Sequence, residues 1–286
     1  MKGIMMFQAH IMGDRFHFRC SQGTSGRVHS VFDSAVNIDI SVNNSDVSLL
    51  TLLCAGSDVM PASLVTSMRL DSWHNYCKID DIAIFTPHTV YMNSVPLVSG
   101  IATAAIWKPV DDKTVGSLSI LNSEEIAERG NLVKTYLKEN GIILNAFPIE
   151  SLDTLSVNTL LGQGMGLTPS GDDFLSGLIA AMHFTRRVYD QECDLLPVLA
   201  NTVLQNMGTK TNQISRHFLH YALEGLWGRA TERFMVAFFG DDDLKLHGAI
   251  LEKAAYGGTS GVDEIQGVLF GLYETVRRIE EESFCI

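Results

Sequence analysis

The sequence predicts an α+β protein, with a β-rich N-terminal domain over residues 1–120 followed by a mainly α-helical domain over residues 121–286. Three observations carry this prediction. Apolar residues recur with a period of two in the first part. Pro87, Pro96, Gly100 and Pro109 punctuate it at strand-like intervals. Beyond Asn122 the period lengthens to that of a helix, with caps and stops at helix-like spacing.

In chain order, "VHSVFDSAVNIDISV" places Val36, Ile38 and Ile40 on one face and Asn37, Asp39 and Ser41 on the other, as a half-buried strand requires. A turn at Asn43, Asn44 and Ser45 leads into "DVSLLTLLCAG", which reads either as a buried strand or as a short helix. "IAIFTPHTVYMNSVPLVSG" and "IATAAIWKPV" read as further strands. Ser123 is the expected N-cap of the first long helix, Glu124 and Glu125 suit its positive end, and Gly141 stops it. Ser151 is expected to cap a short helix running to Leu160. Further helices are expected over 172–189, 195–207, 214–239 with a break, 244–255 and 263–282.

With a net charge of −12 and an isoelectric point near 5.1, the chain is a poor match for a phosphate backbone or an anionic membrane. Nucleic acid and membrane are therefore excluded as partners. Five cysteines without a CxxC pair suit free thiols in a reducing compartment. The first residues are broken by Gln8, His10 and Asp14 before a signal-peptide core develops, and the expected localisation is cytoplasmic.

The stretch "GQGMGLTPSGDD", residues 162–173, is followed at once by the apolar run "FLSGLIAAMHF". It has an echo ninety residues later: "SGDDFLSGLIAAM" aligns with "SGVDEIQGVLFGL", pairing Ser170 with Ser260, Gly171 with Gly261, Asp173 with Asp263 and Gly177 with Gly267. Each copy is a glycine loop ending in Ser-Gly at a helix start. Gly177 and Gly267 lie within the helices, where close approach to another backbone justifies a cost of about 1 kcal/mol relative to alanine.

Backbone N–H groups in glycine turns, aimed from the positive end of a helix, form a cradle for phosphate or carboxylate. Gly164, Gly166, Gly171 and Gly261 supply the backbone, and Thr168, Ser170 and Ser260 add hydroxyls. Asp172 and Asp173 would repel an anion unless one faces away, is protonated or binds a cation. A divalent ion such as Mg²⁺ on Asp172, Asp173 and Asp263 would resolve the conflict, although the motifs fix no cofactor. Capping alone also accounts for Ser and Asp at helix starts, so a capped pair of bundle helices stands beside the ligand reading. The glycines lack the Gly-Lys-Ser/Thr of a nucleotide loop.

In "TNQISRHFLHYALEG", Asn212 and Ser215 open a helix and are further candidates for the anion site. Its apolar face is expected to include Ile214, Phe218, Tyr221 and Ala222. His217, His220 and Glu224 then form a solvated polar stripe in preference to a metal site.

These three motifs, in this order, resemble the AllH-type family linked to oxamate carbamoyltransferase. The resemblance covers the C-terminal half; the N-terminal half matches in being β-rich and in its Trp-Lys-Pro segment at Trp107. The family usually carries a bulky aromatic where this chain has Val262. The resemblance implies a multi-subunit complex in anaerobic purine catabolism. That complex exchanges a carbamoyl group between oxalurate plus phosphate and oxamate plus carbamoyl phosphate, all small anions. It further implies Gly164, Gly166, Ser170 and Gly171 against the anion, Ser260 and Gly261 as a second wall, and Asp173 or Asp263 orienting a metal or the amide nitrogen, with Asp173, Asp263 and Ser170 as the catalytic candidates. Two other readings stand beside it: a non-catalytic anion-binding or scaffold subunit, and a metal-dependent hydrolase or lyase of small amides or ureides. A homo-oligomer is compatible with all three.

Overall fold

The computed structural model describes residues 6–40, 48–69, 71–149 and 152–283. The turn expected at Asn43, Asn44 and Ser45 and the cap expected at Ser151 lie outside the described residues. The chain forms two compact units, Met1–Lys108 and Pro109–Ile286.

The first unit is a barrel-like sheet built from β1 (Phe7–Gly13), β2 (Thr24–Val31), β3 (Ala35–Asp39), β4 (Leu49–Leu53), β5 (Ser63–Thr66), β6 (Ile82–Phe85), β7 (Thr89–Met92), β8 (Val95–Ser99) and β9 (Ala105–Trp107). The strands run in the order β5-β4-β3-β2-β6-β7-β8-β1-β9, and β1 also pairs antiparallel with β5. That pairing sets Ala9 opposite Thr66 and closes β5 onto β1, leaving β9 paired with β1 alone. Val36, Ile38 and Ile40 are buried as expected, but Asn37 on the other face is buried too, accepting from the Thr51 hydroxyl at 2.8 Å, so β3 is not the half-buried strand its alternation predicts. "DVSLLTLLCAG" resolves as a strand, β4, with all five residues buried.

The run read as one alternating segment is a hairpin of β2 and β3. A helix not anticipated from the sequence, α1 (Asp14–Gln22), follows β1 and buries Phe16 and Cys20. The start of α1 can pack against residues 60–61 because residue 13 is glycine: a β-carbon on Gly13 would stand 2.2 Å from the Met60 and Pro61 carbonyl oxygens. "IATAAIWKPV" is a 3₁₀ turn followed by the three residues of β9.

The second unit contains α2 (Asp112–Val115), α3 (Ser123–Glu139), α4 (Thr154–Leu160), α5 (Ser170–Tyr189), α6 (Leu195–Lys210), α7 (Gln213–Leu223), α8 (Arg229–Phe238), α9 (Asp243–Ala254) and α10 (Ser260–Ser283). The N-cap of α3 is Asn122, not Ser123. Its side chain accepts from the Glu125 N–H while Glu125 reaches back to the Asn122 N–H, a reciprocal box that Ser123, already inside the helix, cannot form. Asp153 caps α4. The run 214–239 breaks into α7 and α8 around Gly225, whose φ is +73°. On α7 the buried side includes Ile214, Ser215, His217, Leu219 and Ala222. His217 is therefore not on a solvated stripe; its ring packs against Tyr221, with centroids 4.5 Å apart. His220 remains at the surface and pairs with Glu224 at 3.3 Å.

The long helices α5 and α10 cross at the centre of this unit. Leu178, Ala181 and Phe184 on α5 and Ile265, Val268 and Leu272 on α10 are fully or almost fully buried. Crossing at such short range requires the two glycines that the internal echo aligns, and it brings both Ser-Gly helix starts into the same unit.

Candidate functional site

Three glycines of the first loop take left-handed or more open positive φ values: +76° at Gly162, +111° at Gly164 and +110° at Gly166. Only glycine adopts these without strain, and at Gly162 a side chain would also meet the Lys210 carbonyl at 2.1 Å. The loop therefore doubles back over the start of α5. Asp172 holds it there: one carboxylate oxygen accepts from the Gly162 N–H at 2.7 Å, and the other accepts from the Thr211 hydroxyl. Burial pushes the Asp172 carboxyl upward in pKa, against the pull of the Thr211 and Gly162 donors. Asn212 completes the clamp. Its Oδ1 caps α7 through the Ile214 and Ser215 N–H groups, and its Nδ2 donates to the Leu167 carbonyl at 2.9 Å. Asp172, Asn212 and the buried Ser215 thus serve the loop's position.

Asp173 turns the other way. Its Oδ2 accepts from Thr168 Oγ1 at 3.0 Å, Thr168 Oγ1 lies 2.9 Å from Ser260 Oγ, and Ser260 also bonds to the Asp173 carboxylate. Residues 92 positions apart in the chain therefore join the starts of α5 and α10 in one hydroxyl–carboxyl cluster. Burial drives the Asp173 pKa up to about 7, more than the two hydroxyls pull it down. One of the paired aspartates faces away and the other is partly protonated at neutral pH, which reduces the repulsion an anion would otherwise meet.

Two charged residues not singled out in the sequence complete this end of the unit. Lys253, 3% exposed, pairs with Glu264, which also accepts from the Thr231 hydroxyl. Both charges act on Asp173, and the Lys253 ammonium lies 5.1 Å from the Tyr256 ring centre at the start of the second glycine loop. A lysine on an otherwise ordinary helix carried no sequence signal beyond standing seven residues before Ser260.

The remaining candidates are placed differently. The Gly171 N–H donates to the Gln163 carbonyl and the Gly261 N–H to the Tyr256 carbonyl, so each loop caps its own helix. Gly164 packs on Ser170, where a β-carbon would stand 2.8 Å from the Ser170 nitrogen. Asp263, fully buried, accepts at 2.6 Å from the Asn145 side chain, not from the Asp173 cluster. Among the described residues no group of three or more His, Cys, Asp and Glu side chains is arranged to hold a metal. Asp172, Asp173 and Asp263 thus face three different sets of partners and do not make the trio that a shared Mg²⁺ requires, so no step is assigned to it.

Residues 160–272 match the family model described as oxamate carbamoyltransferase subunit AllH, and residues 8–102 match that of the AllH family N-terminal domain. The chain belongs to the AllH family. No curated protein and no solved structure was found to match it. The AllH match spans both glycine loops, Asn212 and the whole Asp173 cluster, and the N-terminal match falls within the barrel-like unit. None of the helices among the described residues is long and apolar enough to cross a membrane.

Proposed function

We propose that this AllH-family chain is a working subunit of an oxamate carbamoyltransferase, holding a small anion where α5 and α10 begin. The contact between Thr168 and Ser260 over Asp173 carries this reading, because it joins two helix starts, two glycine loops and a group that titrates near neutrality at one point. Paired positive helix ends attract an anion, the Thr168 and Ser260 hydroxyls turn from Asp173 to donate to it when that carboxyl is protonated, and Lys253 supplies a buried cation nearby.

In the reaction, a phosphate oxygen attacks the carbamoyl carbon of oxalurate, and the bond from that carbon to the oxamate nitrogen breaks. The oxamate nitrogen takes a proton, and the products are carbamoyl phosphate and oxamate. Asp173, protonated in part at pH 7, donates that proton, and the hydroxyl donors stabilise the oxyanion formed at the carbamoyl oxygen.

The test is thermal-shift measurement of the purified chain with phosphate, carbamoyl phosphate, oxamate and oxalurate, with and without Mg²⁺, repeated on Asp173→Asn. A ligand at a hundred times its dissociation constant stabilises the native state by about 2.7 kcal/mol. Shifts that the substitution alters support the reading; no shift with any of the four removes the anion site from this chain.

A second reading is favoured by one observation: Met165 is 94% exposed and Leu167 55% exposed at the tip of the first loop. Apolar side chains presented in this way suit contact with a partner subunit, in which case the chain is a scaffold and ligand effects appear only in the assembled complex.

A further inference from the structure

Asp263 is the counterpart of Asp173 in the internal repeat, yet it lies in different surroundings and leaves an unsolved balance of hydrogen bonds. It is 0% exposed, one carboxylate oxygen accepts from Asn145 Nδ2, and the other, Oδ2, is buried with no hydrogen-bond partner among the described residues. One helical turn later on the same side of α10, Gln266 donates through Nε2 to the Asn145 carbonyl at 2.9 Å, and its buried Oε1 likewise lacks a partner. Two buried acceptors three residues apart, both adjoining Asn145, are an expensive arrangement unless a donor fills it, because each orphaned group carries its full desolvation cost.

Between α3 and α10 is an open groove of about 530 Å³ with Phe147, Phe174, Leu269 and Phe270 among its walls; Asn145, Gln266 and Lys134 line it, whereas Asp263 does not and reaches it only through Asn145. This is the size of a small-ligand pocket, with largely apolar walls and a few polar groups. Among the polar groups that line it, Gln266 Oε1 is an acceptor in need of N–H. The chain itself shows what Asp263 takes, since the bond it makes is to the primary amide of Asn145, a residue that is otherwise exposed.

We propose that Asp263 and Gln266 form a second binding site, for a planar group that presents paired N–H donors from an apolar body, an amide, ureide or amidinium. The ligand's body occupies the aromatic groove, one N–H satisfies Gln266 Oε1, and a second reaches the Asp263 carboxylate by displacing the Asn145 amide that covers it. The site does not depend on the anion cluster at Asp173, so either can fail while the other holds.

The experiment titrates the full chain with benzamide and benzamidine, and with N,N-dimethylbenzamide and benzoate as probes of the same shape lacking the donors. Calorimetry gives affinity, and amide NMR of Asn145 and Gln266 gives location. Benzamide or benzamidine should bind and shift both side-chain signals, the tighter of the two naming the charge preferred. Asp263→Asn and Gln266→Leu should each weaken binding about tenfold or more, whereas Asn145→Ala, which removes the internal competitor, should bind at least as well as the parent. Gln266→Leu carries the test if Asp263→Asn does not fold. Equal binding of the dimethylamide or benzoate, unchanged affinity in Gln266→Leu, or no binding of either donor probe overturns the proposal; in the last case the orphaned oxygens are served by water.

Discussion

Gly267 lies so close to Phe174 that a β-carbon built on it would stand 1.9 Å from the Phe174 carbonyl oxygen, and ninety residues earlier Gly177 stands in the same relation to the Glu264 carbonyl at 2.1 Å. The two contacts are exchanged by the repeat offset, since Phe174 and Glu264 are themselves ninety residues apart. Backbone meets backbone at both points, so neither neighbour can yield by a rotamer change. Gly177→Ala and Gly267→Ala should each destabilise the protein by roughly 1–3 kcal/mol or more. Gly208→Ala and Gly248→Ala are the controls: both glycines are helical, exposed and open around the β-position. They should gain up to about 1 kcal/mol. Urea denaturation of the four variants checks the contrast, and a small effect at Gly267 would mean that α5 and α10 do not cross at this range.

Asp172 anchors the first glycine loop from a buried position. Asp172→Ala leaves the Gly162 N–H and the Thr211 hydroxyl without their acceptor, at a cost of about 1–3 kcal/mol. The loop should loosen selectively, read as faster proteolysis at or near Met165 and faster hydrogen exchange at Gly162. Thr211→Val should give the same pattern more weakly.

The carboxyl of Asp173 has its folded pKa raised from 3.8 to about 7. Between these values the folded state binds more protons than the unfolded state, so this group's stabilising contribution is fully present below pH 3.8 and is lost as pH rises through about 7. Asp173→Asn removes that loss. Melting temperatures from pH 4 to 8 should therefore diverge in favour of the variant as pH rises and level off above about pH 7; parallel curves would show that Asp173 titrates normally. Oxamate, whose carboxylate keeps its charge through this range, should bind the parent protein more weakly above pH 7 than below it.

Lys253 and Glu264 are a nearly buried pair, with side chains 4% and 17% exposed. Removing one partner strands the other, so Lys253→Met should cost about 3 kcal/mol, with much of it recovered in Lys253→Met/Glu264→Gln. If Lys253 serves only structure, the double variant should regain phosphate binding along with stability. If it supplies the cation for the anion site, binding should remain lost, and calorimetry on the stable double variant distinguishes the two.

Much of the fold was readable because its signals are local. The period-two alternation at Val36, Ile38 and Ile40, the glycine stop at Gly141 and the repeat of Ser-Gly-x-Asp each arise from residues close in sequence, and the structure bears out the strand face, the stop and the paired helix starts. Asn122 was missed as a cap because Ser123 beside it is equally eligible by residue type, and only the reach of Glu125 decides between them. The burial of His217 was missed because α7 packs on two sides, which its own apolar period does not record.

By itself, then, the sequence determined that β-rich structure gives way to helices, the helix and strand types over most of the chain, and the pair of glycine loops. Those features depend on backbone preference and hydrophobic period, which act within a few residues. The tertiary structure alone decided which way each aspartate faces. Asp172 turns to Gly162 and Thr211, Asp173 to Thr168 and Ser260, and Asp263 to Asn145, and those partners lie between 5 and 118 residues away. Ring closure of the β-sheet through β1 and β5 and the placing of Lys253 belong with them. A side chain's charge state and role follow from what surrounds it, and the crossing of α5 and α10 sets those surroundings.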